Sequence, residues 1–181
     1  MPTSTVDKII DAAENQARVG GYHGFSFREI AKDIGIKSAS IHYHFPTKED
    51  LAAELAKRYT EKFNQYLNTI TETESGLQEQ INQYAQLFYH AIKNDEKMCL
   101  CGLFAAESST LPQTVKEATQ LFFEAQLQWL STLFSNHNIA QAEDRALQLL
   151  ANLEGAMLLA KAFESEALFM RAANLTIIDS H

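Results

Sequence analysis

The stretch GFSFREIAKDIGIKSASIHYHFPTKEDL, Gly24 to Leu51, decides how the rest of the chain is read. Within it, Ser26-Phe27-Arg28-Glu29 has the form of a capping box, whose first and last residues satisfy backbone donors at a helix start. A short helix is therefore predicted from about Phe27 to Ile34. Gly35 follows, where a tight turn between helices is needed. A second short helix is predicted over about Ser38 to His44, and Pro46 cannot extend it. Helical geometry turns Ile30, Ala31, Ile34 and Ile41 inward and leaves Ser38, Ala39, Ser40, His42, Tyr43 and His44 outward. Such a pair, with the motif at about residues 26–45, can lay its second helix in a major groove while the first braces it. A helical hairpin inside an α-helical core has the same outline, and the two helices alone do not separate the readings.

Outward from this stretch the chain reads as helices throughout. Ile9, Ile10, Ala13 and Ala17 keep amphipathic spacing, and Gly20-Gly21 ends that helix. Thr47-Lys48-Glu49-Asp50 caps a long one, with Leu51, Leu55, Tyr59, Phe63, Tyr66 and Ile70 along one stripe. Breaks fall near Ser75-Gly76, Asn94-Asp95, Leu111-Pro112 and Ser135-Asn136-His137-Asn138. Between and beyond them lie segments at about 77–93, 98–108, 112–134 and 140–163, and a last one from Glu166. Seven glycines and three prolines suit long helices, and no stretch alternates as a strand does. The expectation is an all-α fold of about nine helices, with a three-helix domain over 1–63 and a helical domain over 64–181.

With 46% hydrophobic residues the chain can build a real core. No apolar run is long enough to span a bilayer, and Met1 to Ile10 lacks the order of a signal peptide. A cytoplasmic protein with no membrane partner is expected. The net charge of −8 argues at first against nucleic acid. Its distribution changes that, because basic and acidic residues balance up to Ile70 and all the excess acid follows. Between Arg18 and Lys48 five basic residues face only Glu29 and Asp33. An acidic body with one basic patch would orient the molecule toward DNA. Thr47 and Lys48 open a helix whose free amides favour a phosphate.

The string from Gly24 to Leu51 resembles the DNA-binding region of TetR-family regulators. The likeness rests on Arg28-Glu29-Ile30-Ala31, Gly35-Ile36, His42-Tyr43-His44-Phe45 and Thr47-Lys48-Glu49-Asp50-Leu51, all in one register. Members often carry Gly where Ala39 stands and Tyr where His42 stands, differences that bear on the preferred sequence. The resemblance implies double-stranded DNA as partner, read by Arg28, Lys37, Ser38, Ala39, Ser40, His42, Tyr43, His44, Thr47 and Lys48. It also implies a homodimer on a palindromic operator, acting as a repressor released by a small-molecule effector. The last two helices would form the dimer bundle, with Leu149, Leu150, Leu153, Met157, Ala160, Leu168, Phe169 and Ala172 as candidates for it or for the monomer core.

Aromatic residues crowd the middle helices, among them Phe88, Tyr89, Phe104, Phe122, Phe123 and Trp129. Phe88, Cys101, Phe104, Phe122, Trp129 and Met157 are candidates to line an effector pocket, against the alternative of ordinary core packing. Cys99 and Cys101 are poorly placed to bond with each other, and buried small hydrophobes are their plainer role. His42 and His44, two apart, lack the spacing of a zinc helix. No nucleophile elbow, Walker loop, dinucleotide fingerprint or di-iron Glu-x-x-His pair is found. Neither enzyme activity, nor a metal, nor a cofactor is expected.

Overall fold

Ser4 opens the first helix. Its hydroxyl accepts the Asp7 amide at 3.1 Å, and the Asp7 carboxylate accepts the Ser4 amide at 3.2 Å. Capped in this way, α1 spans Thr5–Gly20 and buries Ile9, Ile10, Ala13 and Ala17 on one face. Gly21 closes it at φ 67°, a conformation open to glycine, and donates to the Ala17 carbonyl. One short 3-10 turn, Tyr22–Gly24, leads on to the next helix.

The computed structural model describes residues 4–74, 76–93 and 97–176. Among them are nine α-helices and no strand. After α1 come α2 (Phe27–Ile34), α3 (Ser38–His44), α4 (Lys48–Thr73), α5 (Leu77–Lys93), α6 (Leu100–Ala106), α7 (Gln113–Asn136), α8 (Ala142–Ala162) and α9 (Glu166–Thr176). The predicted boundaries hold within a few residues. The break expected at Asn94-Asp95 and the Ser75 half of Ser75-Gly76 lie outside the described residues. α6 is shorter than predicted by two residues at each end, and past it the Thr110 hydroxyl donates to the Glu107 carbonyl at 3.0 Å. No helix among the described residues is long and apolar enough to cross a membrane.

The chain divides into two compact units. The first comprises Met1–Glu61 and Leu100–Phe122, so it takes in α1 to α3, the first half of α4, α6 and the start of α7. Its core gathers Phe25, Ile30, Ile41, Leu51, Leu55 and Phe104, all with almost no exposed surface. Tyr59 meets Phe122 with ring centres 5.4 Å apart. Arg58 on α4 reaches both Asp7 and Asp11 on α1, each at 3.3 Å.

The second unit comprises Lys62–Cys99 and Phe123–His181. In it, Tyr84 and Phe88 of α5 pack edge to face with Phe63 of α4, and Trp129 of α7 stacks on Tyr84. α9 returns along α8. Asn152 of α8 donates to the Ala172 carbonyl at 3.1 Å, and Tyr89 stacks on Phe169 at 5.9 Å.

Candidate nucleic-acid interface

The turn between α2 and α3 is built by its sequence. The Ser26 hydroxyl accepts the Glu29 amide at 3.3 Å and donates to the Glu29 carboxylate at 3.0 Å. Gly35 adopts φ 72°, ψ 35°, and both its amide and that of Ile36 turn back to the Ala31 carbonyl. A Cβ at Gly35 would meet nothing within 4 Å, so backbone conformation, not space, demands glycine there. Ile30, Ala31 and Ile41 are buried as expected and fix α3 against α2, while Ile34 is only partly covered. At the far end the Thr47 hydroxyl accepts the Asp50 amide at 3.1 Å, and Asp50 accepts the Thr47 amide at 2.9 Å.

α3 thus stands with its outer face open. Lys37, Ala39, His42, Tyr43, His44 and Thr47 are exposed, as is Arg28 on α2, while Ser38 and Ser40 are partly so. Tyr43 is 84% exposed, unusual for a large aromatic residue that has nothing to cover it. His42 is steadied by an edge contact with Phe27 at 4.7 Å and by the Pro46 carbonyl 3.3 Å from Nδ1. Among the described residues no group of three metal-binding side chains occurs, at these histidines or elsewhere.

The basic patch is smaller than the sequence count implies. Arg18 is buried, paired with Glu14 at 3.7 Å and lying over the Tyr59 ring. Lys48 also turns inward. Its ammonium donates to the Phe25 carbonyl at 2.7 Å and sits over the rings of Phe25 and Tyr22 at 4.5 and 4.8 Å. Burial pulls the Lys48 pKa down, against the opposing pull of Glu107 and Glu29. Where the sequence suggests a phosphate contact for this side chain, the structure shows a strut joining the start of α4 to the 3-10 turn. Of the five basic residues in the patch, Arg28, Lys32 and Lys37 remain exposed.

Sequence reading missed the residue on the other side of this strut. The Glu107 carboxylate, just past α6, accepts the Tyr22 amide at 2.7 Å and fills the space a side chain on Gly21 would need. The Tyr22 ring meets Phe104 of α6 edge-on at 6.3 Å. Nothing in the local pattern of Glu107 marks it, because its partners are distant in sequence.

The six candidates for an effector pocket fall in both units. Cys101, Phe104 and Phe122 are fully buried in the first, while Phe88, Met157 and the partly covered Trp129 belong to the second. Both cysteines are buried thiols. Of the eight candidates for a dimer face, Leu149, Leu150, Leu153, Met157, Ala160 and Phe169 are buried within the chain, so core packing claims them. α8 instead exposes Leu147, Leu158, Leu159 and Phe163.

The second unit also holds polar groups that the aromatic pattern concealed. Gln126 is fully buried, with neither amide atom hydrogen-bonded among the described residues. Tyr84 is equally buried and its hydroxyl likewise lacks a partner. Glu154 keeps some surface exposed, but its Oε1 is sealed and unpartnered, and burial pushes its carboxyl up to about 7 against a bond from Cys99. Gln126 was findable, since it occupies a core position in the stripe Phe122, Gln126, Leu130.

Comparison with known proteins agrees with this geometry. Residues 9–55 match the bacterial regulatory proteins of the tetR family, and residues 73–175 match the C-terminal domain of LmrA/YxaF-like transcriptional regulators. The chain is 30% identical over 130 residues to the HTH-type transcriptional regulator LmrA of Bacillus subtilis, covering 69% of this chain and 66% of that protein. Over 51 residues it is 41% identical to IcaR, the biofilm operon icaADBC HTH-type negative transcriptional regulator of Staphylococcus aureus, covering 28% of this chain and 27% of that one. These alignments span less than two thirds of the curated relatives' lengths. The crystal structure of a TetR transcriptional regulator from Legionella pneumophila matches with a TM-score of 0.93 and 31% identity, covering 97% of both chains. These relatives are regulators of transcription, not enzymes. With both of its halves matched and its fold shared along nearly its whole length, the chain belongs to the TetR family of bacterial transcriptional regulators.

Proposed function

We propose that the chain is a cytoplasmic repressor that binds a palindromic operator as a homodimer and leaves it when a small molecule binds among the helices after Gly76. The observation that carries this reading is the outer face of α3, where Tyr43 stands 84% exposed among polar neighbours on a rigidly capped helix pair. Phosphate contacts fall to exposed Arg28, Lys37 and Thr47, and base contacts to Ser38, Ala39, Ser40, His42, Tyr43 and His44. IcaR's description as a negative regulator favours repression. A two-fold dimer would set its reading helices about 34–36 Å apart, one turn of DNA. By linkage, an effector that prefers another spacing lowers operator affinity, and operator lowers effector affinity by the same factor.

Selection from random duplexes at low salt tests the DNA reading. A two-fold symmetric motif is expected, and Ser40→Ala and Tyr43→Ala should each change the motif as well as the affinity. If no duplex is retained, the chain is an interaction module that does not bind DNA. If both variants select the original sequence at the original strength, α3 is not the reading helix.

Lys48→Ala separates the two employments of that lysine. As a strut, its loss should cost about 1–2 kcal/mol of stability, less than the usual ~1.5–3 kcal/mol of a charge-assisted bond because Lys48 keeps some exposure. Operator binding should weaken with no change in its log–log salt slope. A slope smaller by about one unit at unchanged stability would return Lys48 to the phosphate contacts.

A further inference from the structure

Buried polar side chains in this protein generally find partners. Arg18 has Glu14, Thr119 donates to the Val115 carbonyl at 2.8 Å, and Gln80 donates to the Glu74 carbonyl. Gln126 breaks the rule with both ends of its amide, and Tyr84 breaks it beside an aromatic wall. Trp129 links the two. Trp129 lies one helical turn beyond Gln126 on α7 and stacks on Tyr84, with ring centres 5.4 Å apart and planes 27° apart. Phe88 and Phe63 close on Tyr84 at 5.3 and 6.2 Å. The indole N–H of Trp129 is already taken by Thr71 at 3.0 Å, so the wall offers ring surface, and the unmet polarity is that of Gln126 and Tyr84.

We propose that Gln126, joined to Tyr84 through Trp129, forms the polar end of a binding site for an uncharged, flat aromatic molecule bearing an amide-like edge. This rests on the reading of the second unit as effector-binding and names the class of effector. A primary amide presents one donor beside one acceptor, and its full complement is a ring amide presenting the same pair. Tyr84 supplies a further hydroxyl to the ligand carbonyl, and the rings of Tyr84, Trp129 and Phe88 supply stacking surface. Burial holds the Tyr84 phenol well above its usual range and the Glu154 carboxyl up to about 7, so both are mostly uncharged below neutrality and suit an uncharged guest. Because Gln126 and Tyr84 are covered, the ligand enters by local opening of the helices around them.

The probe is 2-quinolone, with N-methyl-2-quinolone as the control that keeps the rings and the carbonyl but loses the donor. Calorimetry on the full chain gives affinities, and quenching of Trp129, the chain's one tryptophan, reports where binding occurs. 2-Quinolone is expected to quench Trp129 and to bind at least about tenfold more tightly than its N-methyl form, as for sites built around a donor and acceptor pair. Gln126→Leu should fold and erase that preference, and Tyr84→Phe should weaken binding while keeping the ring stack. Equal affinity for the two compounds, a preference that survives Gln126→Leu, or no binding up to millimolar probe overturns the proposal. The wider reading fails separately. Binding at Gln126 that leaves operator affinity unchanged refutes effector release and keeps the site, while intact operator binding with no probe binding does the reverse.

Discussion

A chain carrying Leu158→Lys and Phe163→Lys is expected to sediment as a monomer and to bind operator at least about 100-fold more weakly, the usual scale of avidity lost with a second half-site. The motive is α8. Leu147, Ala151, Leu158 and Ala162 fall within an arc of about 60° on a helix of 3.6 residues per turn. All four are exposed, with exposed Leu159 and Phe163 flanking them. Gly155 lies on the same side, and a Cβ there would meet nothing within 4 Å, so a second helix could approach closely. An apolar stripe of this kind marks a surface meant to be covered. Lysine is the informative substitution because added positive charge favours DNA, so weaker binding must come from lost pairing. A double variant that remains dimeric with unchanged affinity would move the interface elsewhere.

Glu154→Gln is expected to flatten the pH dependence of folding. Burial raises the folded carboxyl to about 7 from an ordinary value of 4.5. Between those values the folded chain keeps a proton that the unfolded chain has lost, so stability falls as pH rises through the window and levels off above it. The full effect is at most about 3 kcal/mol, reduced by the residue's partial exposure. Glutamine holds the position neutral at every pH. In urea titrations at pH 5, 6, 7 and 8 the parent should lose stability relative to the variant as pH rises. Parallel curves would mean that the carboxyl titrates normally.

The helices and the reading motif were legible because their causes are local. Caps at Ser26 and Thr47, the glycine turn at Gly35 and the period of Ile30, Ala31 and Ile41 all lie within a few residues of their effects. Partners distant in the chain were not legible. Lys48 lies in a basic stretch, yet its ammonium is claimed by Phe25 and Tyr22 across a fold that spacing cannot show. The same limit applies to α8, whose apolar residues surround the helix so fully that periodicity could not divide core from exposed face. In the second unit, aromatic content drew attention to Phe88 and Trp129, while an unmet amide at Gln126 appears only once its neighbours are known.

Gly21 and Glu107 couple two ends of helices that lie far apart in the chain. Any residue other than glycine at 21 would place its first carbon inside the Glu107 carboxylate, on a backbone at φ 67° that already disfavours it. The Glu107 side chain would have to swing aside to admit it, giving up its bond to the Tyr22 amide. With the carboxylate displaced, the Tyr22 amide would need another acceptor. A substitution at the end of α1 is thus felt at the end of α6, through the one carboxylate that both share.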